Sequence, residues 1–201
     1  LVKFENYIRD IARDGLNELL FDRGGSCIHF IEKIPALAVA KLLGLPCGDS
    51  DEFTKWAMIG GCMLAGEVSA KELEHLARET SAMKSYLSMH FDQSHCLDST
   101  ISKPLLKLLH SECNEGTITK DEAIGISVIL FGAGGESTSA LMGSCIFYLA
   151  SLPKIQEELR SNLQLIDKFI EEVIRLSPPF KFHYRSVRSS CKIGSYDFSP
   201  G

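Results

Sequence analysis

Between Glu122 and Lys154 the chain carries one charged residue, Glu136, in 31 positions. A stretch this apolar has to leave water on most sides, so its shape constrains everything around it. Thr119 followed by Glu122 has the spacing of a capping box, in which each side chain satisfies a backbone N–H that the helix start leaves without a partner. Pro153 bars continuation beyond about Ser151, because proline has no N–H to donate and its ring collides with the preceding turn. The spacing therefore predicts one long helix ending near Ser151, buried nearly all round. A membrane span is the rival arrangement, but Gly132, Gly134, Gly135 and the hydroxyls of Ser137, Thr138 and Ser139 occupy the centre, where a span needs about twenty predominantly apolar residues. No membrane span is expected.

The other segments supply the surroundings. Apolar residues recur at helical spacing through Phe4, Ile8, Ile11, Leu16, Leu19 and Leu20, with Gly24 and Gly25 as the stop. A second helix is predicted from about Phe30 to Leu43, ended by Gly44 and Pro46. Asp49, Ser50 and Asp51 offer caps for a third, carrying Phe53, Trp56 and Met58. Ser69 to about Phe91 reads as a long charged helix, Asp92 to Ser102 as a polar loop, and Leu105 to Leu109 as a short helix before a turn at Asn114–Gly116. Helices from Pro153 to Leu163 and from Leu165 to Leu176 follow, and the alternating tail around Gly194 reads as strands and turns. The fold class is thus mainly α with minor β, the short β segment lying at the C-terminal end.

With 45% hydrophobic and 23% charged residues in 201, the composition is that of an ordinary globular domain. The net charge of −5 and the lack of a basic block argue against a general nucleic-acid binder. The charge is uneven, however. Arg175, Lys181, Arg185, Arg188 and Lys192 against Asp197 make the segment from Val173 to Gly201 net +4 and leave the rest at −9, which favours an anionic group near the C-terminal end. Seven cysteines with no C-x-x-C pair point to a reducing, cytoplasmic setting. The start at Leu1 and the end at Gly201 read as those of an internal piece of something longer.

The centre of the long helix, Phe131 to Ser139, admits three chemical readings. As a dinucleotide turn it fails, since Ser137 stands at the third glycine position and the capping box makes the preceding run helical. As a nucleophile elbow it fails because Ser139 stands where the strained turn needs glycine. The third is a helix weakened by adjacent glycines and by hydroxyls bonding back one turn, which would hold water or a small ligand beside Glu136. Against it stands plain close packing of helices at the glycines, with Glu136 meeting a basic partner. Glu172 and Arg175 form an i,i+3 pair pointing away from the apolar face of Phe169, Ile170, Val173 and Ile174. The set His90, His95, Cys96, His110 and Cys113 matches no usual zinc spacing.

Ala133-Gly134-Gly135-Glu136-Ser137-Thr138, Leu152-Pro153, Leu159-Arg160, Glu171-Glu172-Val173-Ile174-Arg175, Pro178-Pro179 and Arg185, in that order and spacing, resemble the cytochrome P-450 superfamily, most closely its soluble bacterial members. Upstream, Pro35 through Leu42-Leu43-Gly44-Leu45-Pro46, then Asp51, Phe53 and Trp56, is similar to the same family's region before its F and G helices. The resemblance covers essentially the whole chain. It implies that the long helix is the I-type helix crossing the distal face of a haem b, with Ala133 and Gly134 close to the porphyrin. It further implies that Glu136 takes the place of the acid that relays protons and Ser137 that of the adjacent alcohol, normally threonine, with Thr138 beside it. Glu172 and Arg175 match the E-x-x-R motif of the K-type helix, a structural pair locking the proximal core. Arg185 matches the arginine that pairs with a haem propionate, and His183 lies where a second contact would fall. Ile129, Lys181 and Phe182 are candidate liners of the substrate pocket.

In that family a cysteine thiolate in a glycine- and phenylalanine-containing loop holds the iron. No cysteine here has that context, Cys191 falling where a strand is expected, so no metal ligand is assigned within the chain. The expectation is a single partial P-450-like domain over residues 1–201, lacking the N-terminal part and the Cys-ligand loop. The parent would be a monooxygenase inserting one oxygen atom of dioxygen into a small organic substrate by hydroxylation or epoxidation. Its electrons would come from a ferredoxin or flavoprotein, and this chain alone is expected to be inactive. The alternative is a haem-free P-450-like scaffold or activator of a partner enzyme.

Overall fold

The computed structural model describes residues 2–21, 25–65, 68–93, 104–182 and 185–201. Eight α-helices succeed one another among these: α1 (Val2–Phe21), α2 (Ile28–Leu43), α3 (Ser50–Ala65), α4 (Ala70–Asp92), α5 (Leu105–Asn114), α6 (Lys120–Ser151), α7 (Pro153–Ser161) and α8 (Ile166–Leu176). Two short strands, β1 (Cys191–Ile193) and β2 (Tyr196–Phe198), close the chain as an antiparallel hairpin with Cys191 opposite Phe198. Gly194 turns the hairpin at a φ of 61°, a left-handed conformation that glycine adopts without a Cβ clash.

The predicted stops and starts hold where local chemistry dictates them. Gly44 ends α2 at a φ of 86°, its N–H returning to the carbonyls of Ala40 and Lys41. The Thr119–Glu122 capping box is complete: Thr119 N–H donates to Glu122 Oε2 at 2.7 Å and Glu122 N–H to Thr119 Oγ1 at 3.2 Å. Ser69 and Glu72 form a second one at the start of α4, which the charged sequence there concealed. One cap differs from expectation. Asp49 lies in a short 3-10 turn before α3, and its carboxylate accepts from the Tyr86 hydroxyl at 2.6 Å instead of capping the helix.

The core lies between α2, α3, α4, α5 and one face of α6. Leu43, Phe53, Ala57, Leu87, Leu106, Ala123 and Phe131 are inaccessible to solvent. Phe53, Trp56, Tyr86 and Phe131 pack as one aromatic group with ring centroids 5.2–6.3 Å apart, where edge-to-face pairs are favourable. Ion pairs tie the rim: Lys55 reaches Glu79 at 2.8 Å between α3 and α4, and Lys120 reaches Asp92 at 2.7 Å between α6 and α4.

Burial of α6 corrects the sequence expectation. The helix is buried along one face, not nearly all round: Ser127, Phe131, Gly135 and Ser139 form the inner stripe, while Ile129 is 65% and Phe147 63% exposed. The physical reason is that α2, α3, α4 and α5 all approach from one side. By length and composition α6 also suffices to cross a membrane, but its inner stripe is occupied by packed helices.

A proline in α2 explains one of those contacts. Pro35 has no N–H for the carbonyl of Ile31 four residues earlier, and Ser139 Oγ of α6 lies 3.2 Å from that oxygen as a donor, with Gly135 O 3.0 Å away as its alternative acceptor. We predict that Ser139→Ala costs about 1–3 kcal/mol by leaving a buried carbonyl unpaired. Adding Pro35→Ala, which restores an N–H inside α2, should return part of that loss in a denaturant-unfolding double-mutant cycle. Additive losses would show that the Ser139 hydroxyl is not serving Ile31.

His90 packs on the Tyr86 ring at 4.4 Å. Burial pushes its pKa below the ordinary 6.5, with the Asp49 carboxylate opposing the shift. A lowered histidine pKa means the neutral form is favoured in the fold, so its contribution is present above the unfolded value and is lost as pH falls through the folded one. His90→Gln should therefore lose less stability than the parent between about pH 7 and about pH 5, read from urea midpoints. Parallel pH slopes would contradict this.

Candidate functional site

Glycine chemistry decides how α6 sits. A Cβ at Gly60 of α3 would fall on the Gly132 backbone, 2.9 Å from its nitrogen and nearer still to its Cα; one at Gly135 would lie 2.9 Å from both Cα and O of Ala57. A Cβ at Gly134 would meet Val39 Cγ2 of α2 at 2.9 Å. All three glycines of this turn are thus spent on close approach to α2 and α3. The helix continues through them without interruption, so close packing is realised and the widened turn is not.

The opposite face holds most of the candidate residues. At about 100° per residue, Ile126, Ile129, Ala133, Glu136, Ala140 and Phe147 fall within a sector of about 80°. Ala133 is exposed and Glu136 half-buried at the middle of this stripe. Among the described residues Glu136 makes no ion pair and no side-chain hydrogen bond, so the basic partner expected under close packing is not found there. Ser137 borders the stripe, its hydroxyl donating to the Ala133 carbonyl one turn back at 2.7 Å. Thr138 lies a further 100° or so round the helix, exposed and turned away from Ala133. The structure therefore brings Ile129, Ala133, Glu136 and Ser137 together and separates Thr138 and Gly134 from them.

Toward the C-terminus, α8 buries Val173 and holds Glu172 and Arg175 on its outer side. Arg175 Nε donates to Glu172 Oε2 at 2.7 Å and its Nη2 to Oε1 at 2.6 Å. This bidentate bond holds the Glu172 carboxyl below its usual range and raises the guanidinium. The two side chains are 55% and 66% exposed, so the pair locks no core among the described residues. Tyr148 and Ser177 share a hydrogen bond of 3.0 Å that fixes the end of α8 to α6. Beyond it Lys181, Phe182 and Arg185 are exposed, and His183 lies outside the described residues. Cys191 opens β1, in agreement with the strand expected there.

The zinc arrangement gains no support: among the described residues no group of three His, Cys, Asp or Glu is placed to hold a metal, and His95 and Cys96 fall outside them. His110 instead packs at a tilt against Phe91 and contacts Asn114. The residues that sequence reasoning passed over are Ala57, Gly60 and Phe147. The signal was available for the first two, since small residues three apart in α3 match small residues three apart in α6.

The open face of α6 is small and apolar around Glu136 and the segment after α8 is basic, the chemistry that a flat apolar group bearing carboxylates would need. The comparisons with known proteins give the family. The cytochrome P450 family model matches residues 66–201. Cytochrome P450 144 of Mycobacterium tuberculosis is 36% identical over 168 residues, which are 82% of this chain and 38% of that protein. Mycinamicin IV hydroxylase/epoxidase of Micromonospora griseorubida is 26% identical over 74% of this chain and 36% of that protein. Among solved structures, CalO2 matches at a TM-score of 0.87 with 19% identity, over 98% of this chain and 49% of that one. Ligand-free cytochrome P450 TbtJ1 matches at 0.84 with 24% identity, over 99% and 52%. The chain thus spans about half the length of these folds or less, and it belongs to the cytochrome P450 family.

Proposed function

We propose that the protein this chain belongs to is a haem-dependent monooxygenase, inserting one oxygen atom of dioxygen into a small organic substrate by hydroxylation or epoxidation. Electrons would come from a ferredoxin or flavoprotein in the cytoplasm, and the chain by itself is inactive. The observation that carries this reading is the open stripe of α6, where a carboxylate with no ion pair among the described residues and a hydroxyl flank an exposed alanine on an otherwise apolar face.

Haem b, when bound, supplies the iron at which dioxygen is activated. Ala133 would face it, Gly134 contributing at most backbone because its Cα side is packed on Val39 of α2, and Arg185, with His183 as the second candidate, would hold a propionate through charge-assisted hydrogen bonds. Ile129, Lys181 and Phe182 shape the substrate side. Glu172 and Arg175 hold the K-type helix. The Glu136 carboxylate accepts a proton from solvent and passes it inward. Ser137 has one hydroxyl proton, which is donated to the Ala133 carbonyl, so its oxygen serves as an acceptor while that bond is intact. It donates inward only by turning away from Ala133. Thr138, on a different face, does not share this role.

Serine rotates more freely than threonine because it lacks the second branch at Cβ. In the full-length protein Ser137→Thr is therefore expected to lower the peroxide released per reduced nicotinamide consumed, by about two-fold or more, and Ser137→Ala to raise it. Unchanged peroxide in Ser137→Thr would contradict the assignment of Ser137.

A further inference from the structure

We infer that Ala57 and Gly60 of α3 are positioning residues for the turn of α6 that carries Ala133, Glu136 and Ser137, an inference resting on the reading of that turn just given. The two helices meet through matched pairs, Gly60 against Gly132 and Ala57 against Gly135, so that they pass each other in opposite senses with backbone against backbone. Such a contact has no flexible side chain to absorb a change. A methyl added at Gly60 meets backbone atoms of Gly132, and only a shift of one whole helix relieves it. Trp56, one residue from Ala57, packs on Phe131 at 6.3 Å and extends the contact by one more pair.

The working atoms on the far side inherit that position. Ser137 Oγ is bonded to the Ala133 carbonyl at 2.7 Å, so while that bond is made the hydroxyl moves with the helix backbone. Ala133 has no side-chain freedom, and Glu136 follows Gly135 directly. Gly132 and Gly135 face α3 while Ala133 and Glu136 face outward, so a wedge at Gly60 drives the turn toward its open side. Removing the Ala57 methyl lets the turn settle back toward α3. Opposite substitutions in α3 thus move the oxygen-side wall in opposite directions, although neither residue reaches it.

Imidazole tests this without knowledge of the substrate, because it binds haem iron from the side this turn covers and shifts the Soret band. Its dissociation constant is measured in the full-length haem protein for the parent, Gly60→Ala, Ala57→Gly and Leu109→Ala, each with its melting temperature. Leu109 is a buried residue of α5 in the same core, outside the α3–α6 glycine contact itself, and so reports lost core stability without a wedge at that contact. Gly60→Ala should weaken imidazole by about five-fold or more and Ala57→Gly should strengthen it, while Leu109→Ala lowers the melting temperature with affinity unchanged. If Gly60→Ala does not fold, the strengthening in Ala57→Gly decides alone. Unchanged affinity in the α3 variants, or affinities that simply follow lost stability in all three, overturns the inference and leaves the haem reading standing. Absence of a haem band from the parent protein overturns both.

Discussion

The approach of Gly60 to Gly132 governs how the rest of this structure is built. Two helix backbones touch there without side chains between them, and the neighbouring pairs, Ala57 with Gly135 and Trp56 with Phe131, are arranged around that contact. Glycine in the middle of a helix costs roughly 1 kcal/mol relative to alanine. Here the cost is offset by the dispersion and area burial that intimate packing provides, and Phe131 becomes fully buried beside it. The neighbouring helix α2 adds a polar tie of its own, the Ser139 hydroxyl answering the carbonyl that Pro35 leaves without a donor.

Concentrating α2, α3, α4 and α5 on one side of α6 has a consequence for the other side. The outward stripe keeps its apolar side chains, Ile126, Ile129 and Phe147, and a carboxylate in their midst, which is an arrangement that packing alone does not explain. The proposed haem face is this stripe, and the proposed chemistry depends on how firmly its backbone is held from behind. Ser137 illustrates the link: its hydroxyl bonds to the same helix whose position α3 fixes. Structural glycines and the proposed oxygen-side residues share one turn, so a change in one set is expected to disturb the other.

Much of this was legible in the sequence because the signals were local. The capping box at Thr119, Pro153 and Gly44 each act within a few residues, and the ends of α6 and α2 fall where those residues place them. The order of motifs identified the family, and the family model, over residues 66–201, covers those from Ala133 to Arg185 but not the upstream ones from Pro35 to Trp56. What was not legible was pairing at a distance. The near absence of charge in α6 implied burial all round, whereas the sequence does not say from how many sides partners come. The adjacent glycines read equally well as a weakened helix, and only the matched spacing in α3 distinguishes packing from weakness. Asp49 looked like a cap until Tyr86, 37 positions away, claimed its carboxylate. The Glu172–Arg175 pair has the geometry its spacing promised, yet stands exposed on α8.

The proposed role of the open face of α6 is that of the oxygen-side wall of a haem-thiolate centre. The most direct measurement is the absorption spectrum of the full-length protein, reduced and exposed to carbon monoxide. A Soret band shifted to the position that a cysteine-thiolate ligand imposes is expected. A protein that folds but shows no haem absorbance, or shows a carbon-monoxide band without the thiolate shift, would contradict it.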